Sequence, residues 1–258
     1  MDAVTDRTIR AGRATPEADW LACDAVRDAP GIRATDLVPA QARAVMVSPH
    51  PDDEVIATGG LLSQLAHAGR PLCLVAVTDG AASHPGSTLW PRRRLQRCRP
   101  LEQARALRRL GVAGAAVHRL HLPDGGLQAA HPLLLDHLLQ LLRPGDVVFT
   151  TWRLDGHPDH EAVGEACASA AARCGARLVE VPVWGWHWSR PQDAPMPWRQ
   201  ARRVSLDAGT VRRKCAALRL HRSQWLPDPS TGAPAILDGA TLTRAARPFE
   251  LMFVHDAP

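Results

Sequence analysis

The sequence predicts an α/β fold: a Rossmann-like, doubly wound, mostly parallel sheet with helices on both faces, built as a single domain. Three observations predict it. Short runs rich in Val, Leu and Ala alternate with longer stretches at helical spacing. The apolar runs end in clusters of Asp, His, Gly and Pro. No internal repeat and no long linker divides the chain. Connections between parallel strands are right-handed, which places helices on both faces.

The elements follow in order. Residues 16–29 read as a helix, with Pro16 at its first turn. "RAVMVS", 43–48, is the first strand, and 54–68 a helix closed by Gly69. Residues 71–80 are a second strand, and the Ser-, Gly- and Pro-rich stretch 81–91 is a loop. Residues 93–110 form a helix stopped by Gly111, and 115–126 a third strand and turn. A helix over 132–142 ends in "RPGD"; a fourth strand over 146–151 runs into the loop "WRLDGHPDH". Residues 161–174 are helical, 176–184 a fifth strand, 211–222 a helix and 249–255 a last strand. The Pro- and Gly-rich residues 223–247 read as loop. Residues 1–40 form an N-terminal helical extension to a main domain over 41–258.

A chain of 258 residues, 45% hydrophobic, can bury a real core. No apolar stretch is long enough to span a membrane, and no secretory signal is visible at the N-terminus. The six cysteines are scattered without a C-x-x-C pair, as buried thiols of a reducing cytosol would be. A cytoplasmic location follows. The net charge of +5 raises nucleic-acid binding, but no basic stretch is interleaved with aromatics, and tyrosine is absent. Nucleic acid is therefore not an expected partner.

The polar residues choose particular places. "HPDDE" follows the first strand, "TDGAASHP" the second, "LPDGG" the third and "WRLDGHPDH" the fourth. In a parallel sheet these strand ends share one edge, where open α/β sheets bind ligands. His50 and Asp53 are three residues apart at a strand-to-helix turn, and His160 arrives from the fourth strand's loop. Two imidazoles and one carboxylate suit Zn²⁺ with an open position; iron can occupy the same N/O set. Asp52, beside Asp53, is placed to take a proton from water at the metal. His157 can donate to an oxyanion or protonate a leaving amine. Singly, each residue has a structural reading. Asp52 or Asp53 can cap a helix, and Glu54 can be a first-turn acid favoured by the helix dipole. The two blocks together, at two strand ends of one edge, point to metal chemistry.

At these residues the sequence resembles the LmbE-like, or PIG-L, superfamily of zinc-dependent N-deacetylases. The resemblance rests on "SPHPDDE" at 48–54 and "HPDH" at 157–160. It is extended by Gly59–Gly60, "TDG" at 78–80, "R-x-x-E" at 99–102, "LPDG" at 122–125 and "K-x-x-A-L-x-x-H-x-S-Q" at 214–224. It covers roughly residues 43–254 and implies removal of an N-acetyl group from an amino sugar or sugar-containing small molecule. Carried over by position, His50, Asp53 and His160 bind zinc, Asp52 is the general base, His157 serves the oxyanion or acts as acid, and Asp159 orients His157. Arg99, Glu102 and Asp124 fall where relatives shape the substrate pocket. Some relatives carry a tyrosine before "GHPDH"; here Asp155 stands there. Relatives with an acid after "TDG" differ from Ala81 here, and Pro100 is expected to shift the start of its helix.

Two further features bear on substrate. "VWGWHW", 183–188, brings Trp186 and its neighbours behind the fifth strand, either as a stacking platform for a sugar or as a cover for the sheet edge or a homo-oligomer contact. His84, in the loop over the second strand, is a candidate pocket residue. Two other readings stay open: an O-deacetylase or amidase on the same site, and a non-catalytic metal-containing binding protein. The first strand lacks a G-x-G-x-x-G turn, which argues against a dinucleotide.

Overall fold

In the computed structural model, which describes residues 7, 9, 14–191 and 196–255, three short helices precede the sheet. These are α1 (Glu17–Ala22), α2 (Asp24–Arg27) and α3 (Ala34–Leu37). The single helix expected over 16–29 breaks at Cys23, whose backbone is extended. Trp20 explains the pull: its ring meets Trp186 edge-on at 4.9 Å, and its Nε1–H donates to the Trp186 carbonyl.

The alternating body follows as β1 (Ala44–Ser48), α4 (Asp53–His67), β2 (Leu72–Thr78), α5 (Arg92–Leu110), β3 (Ala116–Leu122), α6 (His131–Leu141), β4 (Val147–Thr151), α7 (Pro158–Cys174) and β5 (Arg177–Val181). After it come α8 (Gly185–Trp188), β6 (Ala201–Ser205), α9 (Ala208–Leu218), α10 (Arg222–Trp225), α11 (Gly239–Ala245) and β7 (Phe249–Val254). The sheet order is β3-β2-β1-β4-β5-β7-β6, with the first five strands parallel and β7 and β6 antiparallel. Strand order reverses between β1 and β4, the crevice where such sheets place ligands.

Period-two alternation builds two cores. Ala44 and Met46 of β1 join α4, α5 and α9 on one face, while Val45 and Val47 join α6 and α7 on the other. No helix of the described residues is long and apolar enough to cross a membrane.

The C-terminal third departs from expectation. Residues 223–247 hold α10 and α11, and α11 is capped by Asp238, which accepts from Thr241 N at 2.8 Å. The helix expected at 211 starts at Ala208, because Asp207 accepts from Thr210 N. Strand β6, "ARRVS", carries no run of apolar residues; it forms because β7 pairs with it and Arg203 lies over the Phe249 ring at 4.2 Å. Pro100 sits within α5, which still starts at Arg92.

Candidate metal centre and active site

Strand β1 ends at Ser48, and the chain turns through His50 into α4. The turn is held from inside. The Ser48 hydroxyl donates to Glu54 Oε2 at 2.9 Å, and Asp52 N reaches the same oxygen at 3.3 Å. Glu54, in the first turn of α4, is fully buried and acts as an internal brace. Asp52 occupies the N-cap position of α4 but makes no side-chain cap bond. Its φ of 140° lies where L residues are strained. Such strain costs on the order of 1–3 kcal/mol and persists where the surroundings overdetermine it.

Arg99 is the main part of those surroundings. Its guanidinium donates to the carbonyls of Gly80 (2.7 Å) and Pro51 (2.9 Å) and to Asp52 Oδ2 (3.2 Å). Gly80, with φ of 64°, must be glycine here: a Cβ would lie 2.2 Å from Arg99 Nη1. The "TDG" turn thus makes room for the arginine that fixes Asp52.

His50 Nδ1 lies 3.2 Å from Asp53 Oδ2, and His160 Nε2 lies 3.3 Å from the same oxygen. These three residues can each offer one ligand atom within 4.8 Å of the others. The outward nitrogens are occupied. His50 Nε2 faces Asp124 Oδ1 at 3.2 Å and Asp159 Oδ2 at 3.3 Å, and His160 Nδ1 meets Asp155 Oδ2 at 2.8 Å. A carboxylate behind each imidazole is how metal-binding histidines are oriented. Among the described residues, buried His160 Nε2 makes no hydrogen bond. An inward-facing nitrogen without a hydrogen bond, beside a carboxylate in an N₂O donor set, fits a divalent metal such as zinc.

His160 belongs to the first turn of α7, which begins at Pro158, so the helix start itself delivers this ligand. His157 is the N-cap, and its Nδ1 accepts from Asp159 N at 3.2 Å. Its ring centroid stands 5.1 Å from that of His50 and 4.8 Å from that of His160. The Asp159 carboxylate does not serve His157 as the resemblance implied. It accepts from Gly125 N (2.7 Å) and Leu127 N (3.1 Å) and faces His50, while only its backbone N–H meets His157. Those two amides come from the turn after β3, so the loop geometry draws Asp159 toward His50.

Electrostatics separates the roles. Burial pushes Asp52 up to about 7; Arg99 opposes the rise, and the charges of Asp53 and Glu54 add to it. Burial works against Asp53 too, but His160 and His50 win and hold it well below the carboxylate range. Burial lowers His160, yet Asp53 and Asp155 raise it to about 9. His157 falls to about 3 through burial and then the charges of His160 and His50. Burial would raise Asp124, but His50 and Ala82 N bring it to about 2.

The centre opens into a cavity of about 400 Å³. Its wall includes His50, Asp52, Asp53, Arg99, Asp124 and the two histidines of α7's start. Trp186 lines it as well, held beneath Arg247, whose guanidinium carbon lies 4.4 Å from the ring centre. Two expected pocket residues lie elsewhere. Glu102 accepts from Ser223 N (2.9 Å) and Oγ (2.7 Å), anchoring α10. His84 pairs with Ser83 Oγ at 2.9 Å and sits near Trp90, while Ala82 and Ser83 form the cavity wall. Sequence reasoning gave Asp155 no role. It is fully buried and accepts from Val183, Trp184 and Gly185 N at 2.8–2.9 Å besides holding His160. Its position before "GHPDH" was the available signal.

Residues 45–171 match the PIG-L family, described as GlcNAc-PI de-N-acetylase. The chain is 28% identical to a 1D-myo-inositol 2-acetamido-2-deoxy-alpha-D-glucopyranoside deacetylase of Rhodococcus erythropolis, over 78% of this chain and 74% of that protein. Two solved structures share the fold. A deacetylase of teicoplanin biosynthesis superposes with a TM-score of 0.62 at 18% identity, covering 84% of this chain and 99% of the other. The N,N'-diacetylchitobiose deacetylase of Pyrococcus horikoshii superposes with a TM-score of 0.57 at 19% identity, covering 83% of each chain.

Proposed function

We propose that this chain, which carries a PIG-L domain over residues 45–171, is a metal-dependent N-deacetylase acting on an amino sugar or sugar-containing small molecule. The observation that carries the reading is the meeting of His50, Asp53 and His160 at one point with Asp52 and His157 beside them. The deacetylase names of its relatives support the substrate class. His50, Asp53 and His160 would hold the metal, which when bound acidifies water and polarises the acyl carbonyl.

The chain's own groups supply the rest. Asp52, raised to about 7, takes up a proton from the attacking water near neutral pH. Arg99 keeps its carboxylate aimed and its strained backbone in place. His157 is neutral in the absence of substrate, because burial and two neighbouring imidazoles disfavour its cation. Its Nδ1 takes the Asp159 N–H, which leaves Nε2–H to donate to the oxygen that gains charge as the carbonyl is attacked. Asp124 and Asp159 hold His50, and Asp155 holds His160, so neither ring must reorient during the reaction.

The direct test is acetate release from N-acetylglucosaminyl-inositol and from N-acetylglucosamine glycosides, with and without chelator. Zinc-loaded protein should release stoichiometric acetate and lose the activity on metal removal. Turnover undiminished after metal is stripped would reject the reading.

A further inference from the structure

Beyond the metal centre the cavity changes character. Away from the metal ligands its lining includes the apolar Val181, Leu237, Ala245 and Leu251, with the Lys214–Glu250 ion pair among them. Set into this lining is Arg244, from the last turn of α11. Its side chain is only 9% exposed, and its Nε has no hydrogen-bond partner among the described residues. Among the described residues its one hydrogen bond runs from Nη2 to the Trp186 carbonyl at 3.3 Å.

Its one ion-pair partner among the described residues, Glu17, is shared. Glu17 is bound through both oxygens by Arg247, at 2.5 and 2.8 Å, and Arg244 Nε stands 3.6 Å from it, outside hydrogen-bond range. One carboxylate therefore faces two guanidinium groups. Asp238 is committed to the cap of α11, Asp155 to His160 and three amides, and Glu250 to Lys214, Gly60 N and Leu61 N. Burial and then the Arg247 charge lower Arg244 to about 10, so it remains a cation at neutral pH. A guanidinium has five donors in a fixed fork that matches a carboxylate. A buried cation that lines a cavity, with a donor left without a hydrogen bond, is a ready anchor for an anion.

We propose that this far chamber is a subsite for a carboxylate carried on an apolar spacer, with Arg244 as its anchor. The apolar wall takes the spacer, with Trp186 among the residues that line it. The proposal rests on reading the cavity as the substrate pocket of the deacetylase. The carboxylate belongs to the acyl group or to the aglycone of the substrate, and the two sources are separable by experiment.

Binding is measured first, by calorimetry on the zinc-loaded full chain with 4-phenylbutyrate and its amide, 4-phenylbutyramide. The acid should bind roughly 10- to 100-fold more tightly, the range for a hydrogen bond to a charged group. Arg244→Met should erase that preference and Arg244→Lys should keep part of it. A preference that survives Arg244→Met would assign the carboxylate to the metal or to Lys214 and overturn the proposal. Equal binding of acid and amide to the unaltered chain overturns it without any variant, so a folding defect in Arg244→Met does not protect it.

Turnover then separates the sources. One arm uses glucosamine N-acylated with glutarate, against its terminal amide. The other uses N-acetylglucosaminides of 4-hydroxyphenylpropionate, against the corresponding amide. A KM lower by the same factor for the acid in one arm, lost in Arg244→Met, assigns the side. Preferential acid binding without hydrolysis in either arm upholds the subsite and removes the deacetylase reading. Hydrolysis with no preference for acids in binding or KM does the reverse.

Discussion

The two walls of the cavity are made by different means. The wall at the ends of β1 and β4 joins two local blocks, His50 with Asp53 three residues on and Asp155 with His160 across the start of one helix, which meet across 109 residues. The opposite wall is assembled from single distant residues. Glu17 meets Arg247 across 230 residues, and Glu250 binds the amides of Gly60 and Leu61 across about 190. The near wall directs carboxylates at imidazoles, whereas the far wall surrounds two buried arginines and a lysine with apolar side chains. A wall built from distant contacts couples specificity to folding.

Asp52→Asn is the sharpest way to test the near wall. An amide cannot take the proton, so kcat should fall roughly 10²- to 10⁴-fold. Zinc content, read by elemental analysis, should stay at one per chain, since Asp52 is outside the ligand cluster. Loss of zinc along with activity would move Asp52 into the ligand set and undo its role as base.

The far wall breaks differently. Helix α4 is kinked at Thr58, and Glu250 accepts from Gly60 N and Leu61 N, both at 2.7 Å, just past the kink. Lys214 Nζ supplies the countercharge at 2.7 Å, and both side chains are nearly inaccessible. Lys214→Met leaves a buried carboxylate without its cation and should cost about 3–5 kcal/mol in urea unfolding. Adding Glu250→Gln should recover much of the loss. If Lys214→Met alone unfolds like the parent chain, the two amides suffice to hold the charge.

Asp155→Asn probes the near wall more gently. The side chain keeps its shape, but the carboxylate behind His160 is gone. Zinc affinity measured by chelator competition should weaken roughly 10- to 100-fold, as for other orienting partners of metal-bound histidines. Unchanged affinity would mean that the fold of α7 alone aims the ring.

The same contrast governs what could be read from the sequence. The parallel body was legible because strands such as β1 and β2 are contiguous apolar runs and α5 and α7 end in the glycines Gly111 and Gly175. The ligand cluster was legible because the turn after β1 carries two of its members. Asp159 was misread because its partners, the amides of Gly125 and Leu127, lie on another strand's turn. Strand β6 hid because Arg203 rests on Phe249 and the strand is held by its pairing with β7, contacts that no local periodicity encodes. Helix α11 left a signal in Asp238 and Thr241, a cap three residues long, that the surrounding prolines and glycines masked. Arg247 and Glu17 could not be paired by inspection at all.

The seam between the two kinds of structure carries its own, smaller signature. Glu180 of β5 is buried where the parallel strands meet β7. It accepts from Arg153 N, Nε and Nη2 at 2.9 Å, on the side of β4, and faces His255 Nε2 at 2.7 Å, on the side of β7. Burial alone would raise its pKa, but the bonds from His255 and Arg153 outweigh it and hold the carboxyl below the glutamate value of 4.5. A depressed folded-state pKa means that the contribution is complete above the unfolded value and is lost as pH falls through the folded one. Urea unfolding of the parent chain and Glu180→Gln should therefore differ most at pH 6–7, with the gap closing below about pH 4.5 as the parent's carboxylate is protonated. A gap that stays constant from pH 7 to pH 3.5 would show that the side chain's packing, and not its charge, joins the two halves of the sheet.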